Sequence, residues 1–282
     1  MTSLATPTSS TALISRSNWV AKLSLGFELR RGRTVLTNRR RSGPLSVQRC
    51  FYPEDSVCHA YVLHPPGGIA GGDQLSIDCQ VAAGAHALVT TPGASKFYRA
   101  DRESSLCQRL KVDTDASLEW LPLEAIYFPG CNARQTTHIS LAAGARFIGW
   151  ETHCAGRPVM NEHFDYGAID ARLRLRISGQ LVLSDRLSLT PQSHHFPAAN
   201  HRNFPVQSTL IATPANENDL AMARQCGGDG LTTGATLIGD VLIVRALAPH
   251  TEPAMRAMTE LWQALRPNIL GRAPCPPRIW NT

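Results

Sequence analysis

Most of the usual marks of a catalyst, a membrane span or a disulfide framework are missing from this chain. No apolar run approaches the roughly 18 residues that a membrane-crossing helix needs, so the reading is a soluble protein with no membrane partner. The eight cysteines (50, 58, 79, 107, 131, 154, 226 and 275) form no CxxC or other zinc-finger spacing. No apolar signal peptide precedes them, so the expectation is reduced thiols in a cytoplasmic protein, most of them small core residues. Aromatics are only 6% of the chain, too few for the stacking platforms that single-stranded nucleic acid requires, and no nucleic-acid partner is expected. Enzyme signatures fail in turn. The stretch nearest a nucleophile elbow, Pro92-Gly-Ala-Ser95-Lys96-Phe97, lacks the second glycine. Gly227-Gly-Asp-Gly-Leu-Thr-Thr-Gly234 has no lysine after its last glycine, which excludes a phosphate-binding loop. HExxH and the dinucleotide fingerprint are absent as well. The chain reads as a non-enzyme.

What is present points to a globular β protein. Apolar residues are 43% and charged residues 18% of the 282, enough for a sizeable core and against wholesale disorder. Residues 1–17 are Ser/Thr-rich with Arg16 as the single charge, and read as a flexible N-terminal extension before one domain at 18–282. The net charge of +6 is unevenly placed. Residues 1–50 hold nine Lys/Arg against Glu28 alone, and the remainder is slightly acidic. Arg39, Arg40 and Arg41 form the densest group. They suit an acidic partner surface or, more simply, the solvated face of a hairpin.

Leu75, Ile77, Cys79 and Val81 alternate with polar residues, as do Ala171, Leu173, Leu175 and Ile177 with three arginines. Both are half-buried strands by their period of two. Turn residues Gly84, Asp115, Gly144 and Gly179 punctuate the chain. A frame of aliphatic residue, Gly- or Asp-centred turn, alanine and new strand recurs at Val81–Val89, Val112–Trp120 and Leu141–Gly149. The fold class expected is all-β with two helices, its strand–turn–strand units stacked as a β-solenoid-like superhelix; a β-sandwich is the other option. The helices are Glu217–Gln225, and one begun by a capping Thr251 and ended by Pro267.

The most unusual stretch is His64-Pro-Pro-Gly-Gly-Ile-Ala-Gly-Gly-Asp73. Its glycines (Gly67, Gly68, Gly71, Gly72) allow positive φ and close approach, and Asp73 puts a carboxylate at the exit. Asp73 can serve an ion or simply bond the loop's amides. His59, His64, His86, Cys58 and Cys79 are donors suited to nickel, copper or zinc, and His194–His201 is the densest histidine cluster. Neither group has the spacing of a known metal site.

These blocks carry a resemblance. Gly43-Pro-Leu-Ser-Val-Gln-Arg49, Phe51-Tyr-Pro-Glu54, the glycine loop to Asp73 and Thr91-Pro-Gly-Ala-Ser-Lys-Phe-Tyr-Arg99 resemble the UreD family of urease accessory proteins. So do Leu118-Glu-Trp-Leu-Pro122, Ala143-Gly-Ala-Arg146, Gly156-Arg-Pro158 and Pro277-Arg-Ile-Trp280, and the likeness runs from about Trp19 to the C-terminus. The resemblance implies a cytoplasmic scaffold that docks on apo-urease and, through UreF, holds the GTPase UreG. It also implies an internal passage for nickel, with no permanently bound cofactor. The acids at matching positions are Asp73, Glu54, Asp55, Glu119, Glu124 and Glu151, as transient stepping points for Ni2+. The competing reading is a β-solenoid enzyme acting on a saccharide or small molecule, with Asp73, Glu119 and Glu151 as its acids.

Overall fold

A computed structural model of the protein describes residues 19–190, 204–228 and 230–281. The extension 1–17 and the His194–His201 cluster lie outside them. The chain opens with β1 (Val20–Arg30), β2 (Arg33–Ser42), β3 (Ser46–Val47), β4 (Cys58–Leu63) and β5 (Gln74–Val81). Next come β6 (His86–Thr90), β7 (Ser95–Phe97), β8 (Ser104–Val112), β9 (Ser117–Leu121) and β10 (Ala125–Tyr127). Four long strands and one shorter strand follow: β11 (Asn132–Leu141), β12 (Arg146–Ala155), β13 (Ala168–Ile177), β14 (Gln180–Leu189) and β15 (Val206–Thr213). The chain closes with α1 (Glu217–Arg224), β16 (Thr232–Ile238), β17 (Val241–Ala248) and α2 (Thr251–Leu270). No helix among the described residues is long and apolar enough to cross a membrane.

The strands form two mixed sheets, ordered β14-β13-β11-β8-β5-β1-β2 and β16-β17-β15-β12-β9-β6-β4-β3. Each of the three repeats sends its first strand to one sheet and its second to the other. Successive repeats then pair in parallel on both sides. Val81 and Leu141 flank Val112 in the first sheet, and His86 and Arg146 flank Ser117 in the second. The turns stack with them at Gly84, Asp115 and Gly144, all at positive φ. A Cβ on Gly144 would strike the Asp115 carboxylate, so the glycine serves room as well as conformation. Beyond the three repeats, β2, β14, β15, β17 and β16 add antiparallel, so the parallel stack is confined to the middle of each sheet.

The two sheets differ in what covers them. The first alternates buried and exposed residues, as in β13, because its outer face meets solvent. The second is covered on both faces, and β6 and β9 are buried at every position. Ala87, Val89, Leu118, Trp120 and Phe147 point inward to Leu75, Ile77 and Cys79 of the first sheet. Their neighbours Leu88, Leu121, Ile148 and Trp150 point outward to Met258, Leu261, Trp262 and Leu265 of α2. Each such aliphatic side chain contributes about 1.5–3 kcal/mol by burial.

Both helices depart slightly from expectation. α1 stops at Arg224, and Asn216 caps it in a reciprocal pair with Asp219. α2 is capped by His250 with no side-chain hydrogen bond, and Thr251 is already helical. It runs through Pro267 to Leu270 and stops at Gly271, φ +64°. Burial of Ile269 and Leu270 in the core offsets the roughly 3 kcal/mol that an interior proline costs. Urea unfolding of the full chain should show Leu265→Ala losing about 2–5 kcal/mol, whereas exposed Glu260→Ala should stay within about 0.5 kcal/mol of wild type.

Candidate functional site

The glycine loop turns between β4 and β5 and is closed by Asp73. One carboxylate oxygen accepts from the Ala70 amide (2.9 Å) and the other from the Trp19 amide (3.1 Å). Asp73 is 8% exposed and fastens the bend to the start of β1. Gly67 and Gly72 adopt positive φ, while Gly68 and Gly71 leave room for Tyr98 and Ala100. The bend walls a cavity of about 430 Å3 lined by Leu45, Val62, His64, Thr91, Lys96 and Leu106 among others. Among the described residues, none gives the buried His64 Nε2 a hydrogen-bond partner. Burial pushes this histidine's pKa down, against the pull of Asp73, and favours a neutral ring with a free lone pair.

Beyond this cavity a mostly apolar space leads to a line of hydrogen-bonded polar side chains between the sheets. A smaller space of about 40 Å3 shares Val62, Thr91, Ser95 and Leu106 with the first and reaches Gln108 of β8. Gln108 donates to the Thr137 hydroxyl of β11 (3.0 Å), and Thr137 donates to Glu151 of β12. Gln135 also donates to Glu151 (3.1 Å), and His153 Nε2 stands 3.5 Å from its other oxygen. Tyr127 donates to Gln135 and meets His153 Nδ1 at 3.0 Å. Burial, and then the Glu151 charge, raise its hydroxyl well above the usual range, so it stays a phenol. Glu151 is 6% exposed and faces a last small space lined by Asp185, Arg186, Gln207 and Thr209, with Arg186 itself paired to Asp170. Among the described residues Glu151 makes no ion pair with Lys or Arg.

The opposite, helix-facing side of the second sheet holds a different buried carboxylate. Glu119 accepts from Trp262 Nε1 (2.6 Å), Arg266 Nε (2.9 Å) and Arg266 Nη2 (3.0 Å), with His86 Nε2 at 2.8 Å. Burial alone would raise its pKa; His86 and Arg266 outweigh that and bring it down to about 2. Arg266, fully buried, also donates to Glu54 (2.7 Å) and to the Ala273 carbonyl. Glu54 in turn meets His59 Nε2 at 2.8 Å.

The six acids singled out in the sequence are thus not gathered into one file. Glu54 and Glu119 meet at Arg266 on the helix side, Glu151 lies between the sheets, and Asp73 closes the loop. Asp55 is exposed at a positive-φ turn. Glu124 is half-buried and acts on Cys154, whose thiol burial raises to about 12. Arg39, Arg40 and Arg41 lie exposed on the edge strand β2 and make no ion pair among the described residues. All eight cysteines are free, with Cys58, Cys79, Cys131 and Cys154 buried. Gln108, Gln135, Thr137 and His153 escaped the sequence reading. Their signal was polarity in the inward frame: Gln108 shares parity with Leu106 and Leu110, and Thr137 with Ile139.

Because the folded pKa of Glu119 lies below the usual carboxylate value, its contribution is complete above pH 4.5 and lost as pH falls toward about 2. Thermal melts across that interval should fall less steeply in Glu119→Gln than in wild type. At neutral pH the variant should be less stable by about 1.5–3 kcal/mol, since Arg266 loses one of its two carboxylate partners and keeps Glu54.

Residues 20–281 match the family model described as UreD urease accessory protein. The chain is 47% identical over 267 residues to urease accessory protein UreD of Pseudomonas entomophila (strain L48), covering 94% of this chain and 95% of that one. It is 43% identical over 276 residues to urease accessory protein UreD of Escherichia coli, covering 95% and 99%, and 44% identical over 276 residues to that of Vibrio parahaemolyticus, covering 95% and 98%. These relatives are named as accessory proteins and not as enzymes, which removes the saccharide-enzyme reading. The chain belongs to the UreD family of urease accessory proteins and has a non-enzymatic part in urease maturation.

Proposed function

We propose that the protein is a cytoplasmic scaffold that docks on apo-urease together with UreF and the GTPase UreG, and that nickel(II) crosses it between the two sheets. The observation that carries this reading is Glu151: a carboxylate buried between the sheets with neutral hydrogen-bond donors and one imidazole around it, at the end of the hydrogen-bonded line that begins at Gln108. An interior carboxylate without a fixed cation is costly, and a divalent ion in transit relieves that cost.

The ion enters at the cavity beside His64, whose free lone pair receives it, and passes Gln108 and Thr137 to Glu151 and His153. The 40 Å3 space at Gln108 has room for about one water and is walled mainly by Val62, Ile77, Val89, Leu106 and Trp120. Gln108, Thr91, Ser95 and retained water must therefore supply the ion's oxygens there. Weak ligands in series let an ion move on instead of trapping it. Asp73 acts by holding the entrance in shape. Nickel is cargo here, with no cofactor held permanently. In this reading the three stacked repeats are a short solenoid-like segment that keeps the two sheets apart at a spacing wide enough for the line, and the exposed arginines of β2 meet an acidic partner surface.

Co-expressed with urease and the other accessory proteins, Glu151→Ala should lower the nickel content and activity of urease severalfold while its recovery with the partners is unchanged. Full nickel loading by that variant contradicts the passage. Reversing the charge at Arg39, Arg40 and Arg41 together should weaken co-purification with urease or UreF, more so as salt rises; undiminished recovery returns these arginines to a solvated face.

A further inference from the structure

We infer that a second, separate site for a borderline divalent metal ion lies on the helix-facing side of the second sheet, formed by Glu54, His59 and Cys275. The three come from three parts of the chain: the loop before β4, β4 itself and the segment after α2. One donor atom of each lies within 4.8 Å of the others, and among the described residues it is the one group of His, Cys and acidic donors so placed. It stands across the sheet from Glu151, so it is not a station on the line between the sheets.

The surroundings suit a cation. Glu54 uses Oε1 for both His59 and Arg266, and no hydrogen bond among the described residues engages its Oε2. Arg266 remains anchored by Glu119 and Ala273 if Glu54 turns to an ion. His59 is fully buried; among the described residues its ring Nδ1 has no hydrogen-bond partner and its Nε2 meets Glu54. With the thiol deprotonated, Cys275, Glu54 and Glu119 supply three negative charges against one on Arg266, and a divalent ion brings the sum to zero.

The donor set of carboxylate oxygen, imidazole nitrogen and thiolate sulfur selects zinc, nickel or cobalt over magnesium or calcium. Three protein ligands leave a fourth position to water, the arrangement of an exchangeable site and not of a closed structural one. Cys275 is half-buried, which leaves the ion a way in. The thiol's pKa is raised, by burial first and then by Glu54, so binding exchanges the thiol proton for the metal: Cys–SH and the dication give Cys–S–metal and one proton released to solvent.

Cobalt(II) titration of the purified full chain tests the site through thiolate-to-cobalt charge-transfer absorption. The band should saturate near one equivalent, be absent in Cys275→Ser, and weaken in affinity at least about tenfold in Glu54→Gln. Cys226→Ser and Cys107→Ser should keep it. A wild-type chain without the band, or a band that survives in Cys275→Ser, overturns the assignment. A second readout needs no variant: zinc should slow alkylation of Cys275 by iodoacetamide, read by peptide mapping, while Cys226 and Cys107 react as before. Equal alkylation of Cys275 with and without zinc also overturns it.

Discussion

A single sheet carries two buried glutamates on its opposite faces, and what each is given as a partner separates the structural half of the molecule from the half we assign to transport. Glu119 faces the helices and is closed by a guanidinium, an indole N–H and an imidazole. It ties α2 to the sheet and has no capacity left for a visitor. Glu151 faces the interior and is held by a hydroxyl and an amide with His153 beyond. Its charge is solvated by dipoles and not neutralised by an arginine, the condition under which an interior site draws a mobile cation.

This division rests on parity. In β9 and β12 successive side chains go to opposite sides, so Leu118 and Trp120 line the interior while Glu119 and Leu121 meet the helices. A slip of one residue would exchange the two environments, placing Glu119 in the interior and an apolar residue against Arg266. The stacked turns at Gly84, Asp115 and Gly144 guard against that slip, because each fixes where one strand ends and the next begins in both sheets at once.

Much of this architecture was legible beforehand. The alternation in β5 and β13 and the turn residues located strands and bends closely, since a sheet face exposed to solvent writes its period into the sequence. The three repeats became the three parallel-paired units. The second sheet was harder to read: covered on both sides, β6 and β9 offer no polar beat that marks which face is which. That also explains why six acids chosen by motif were expected along one route although the sheet divides them. Arg266 was invisible as a partner because its contacts with Glu119 and Glu54 span 147 and 212 residues of chain. Pro267 misled because a local rule for helix ends was overridden by the burial of Ile269 and Leu270.

The central claim is that nickel occupies the space between the sheets at Glu151. Anomalous diffraction at the nickel edge, from crystals of the full chain grown with the ion, tests it most directly. The account predicts an anomalous peak within ligand distance of Glu151 and His153, on the inner side of the second sheet. Nickel found only on the outer surfaces, with the interior at Glu151 empty of metal at saturating concentration, would contradict it.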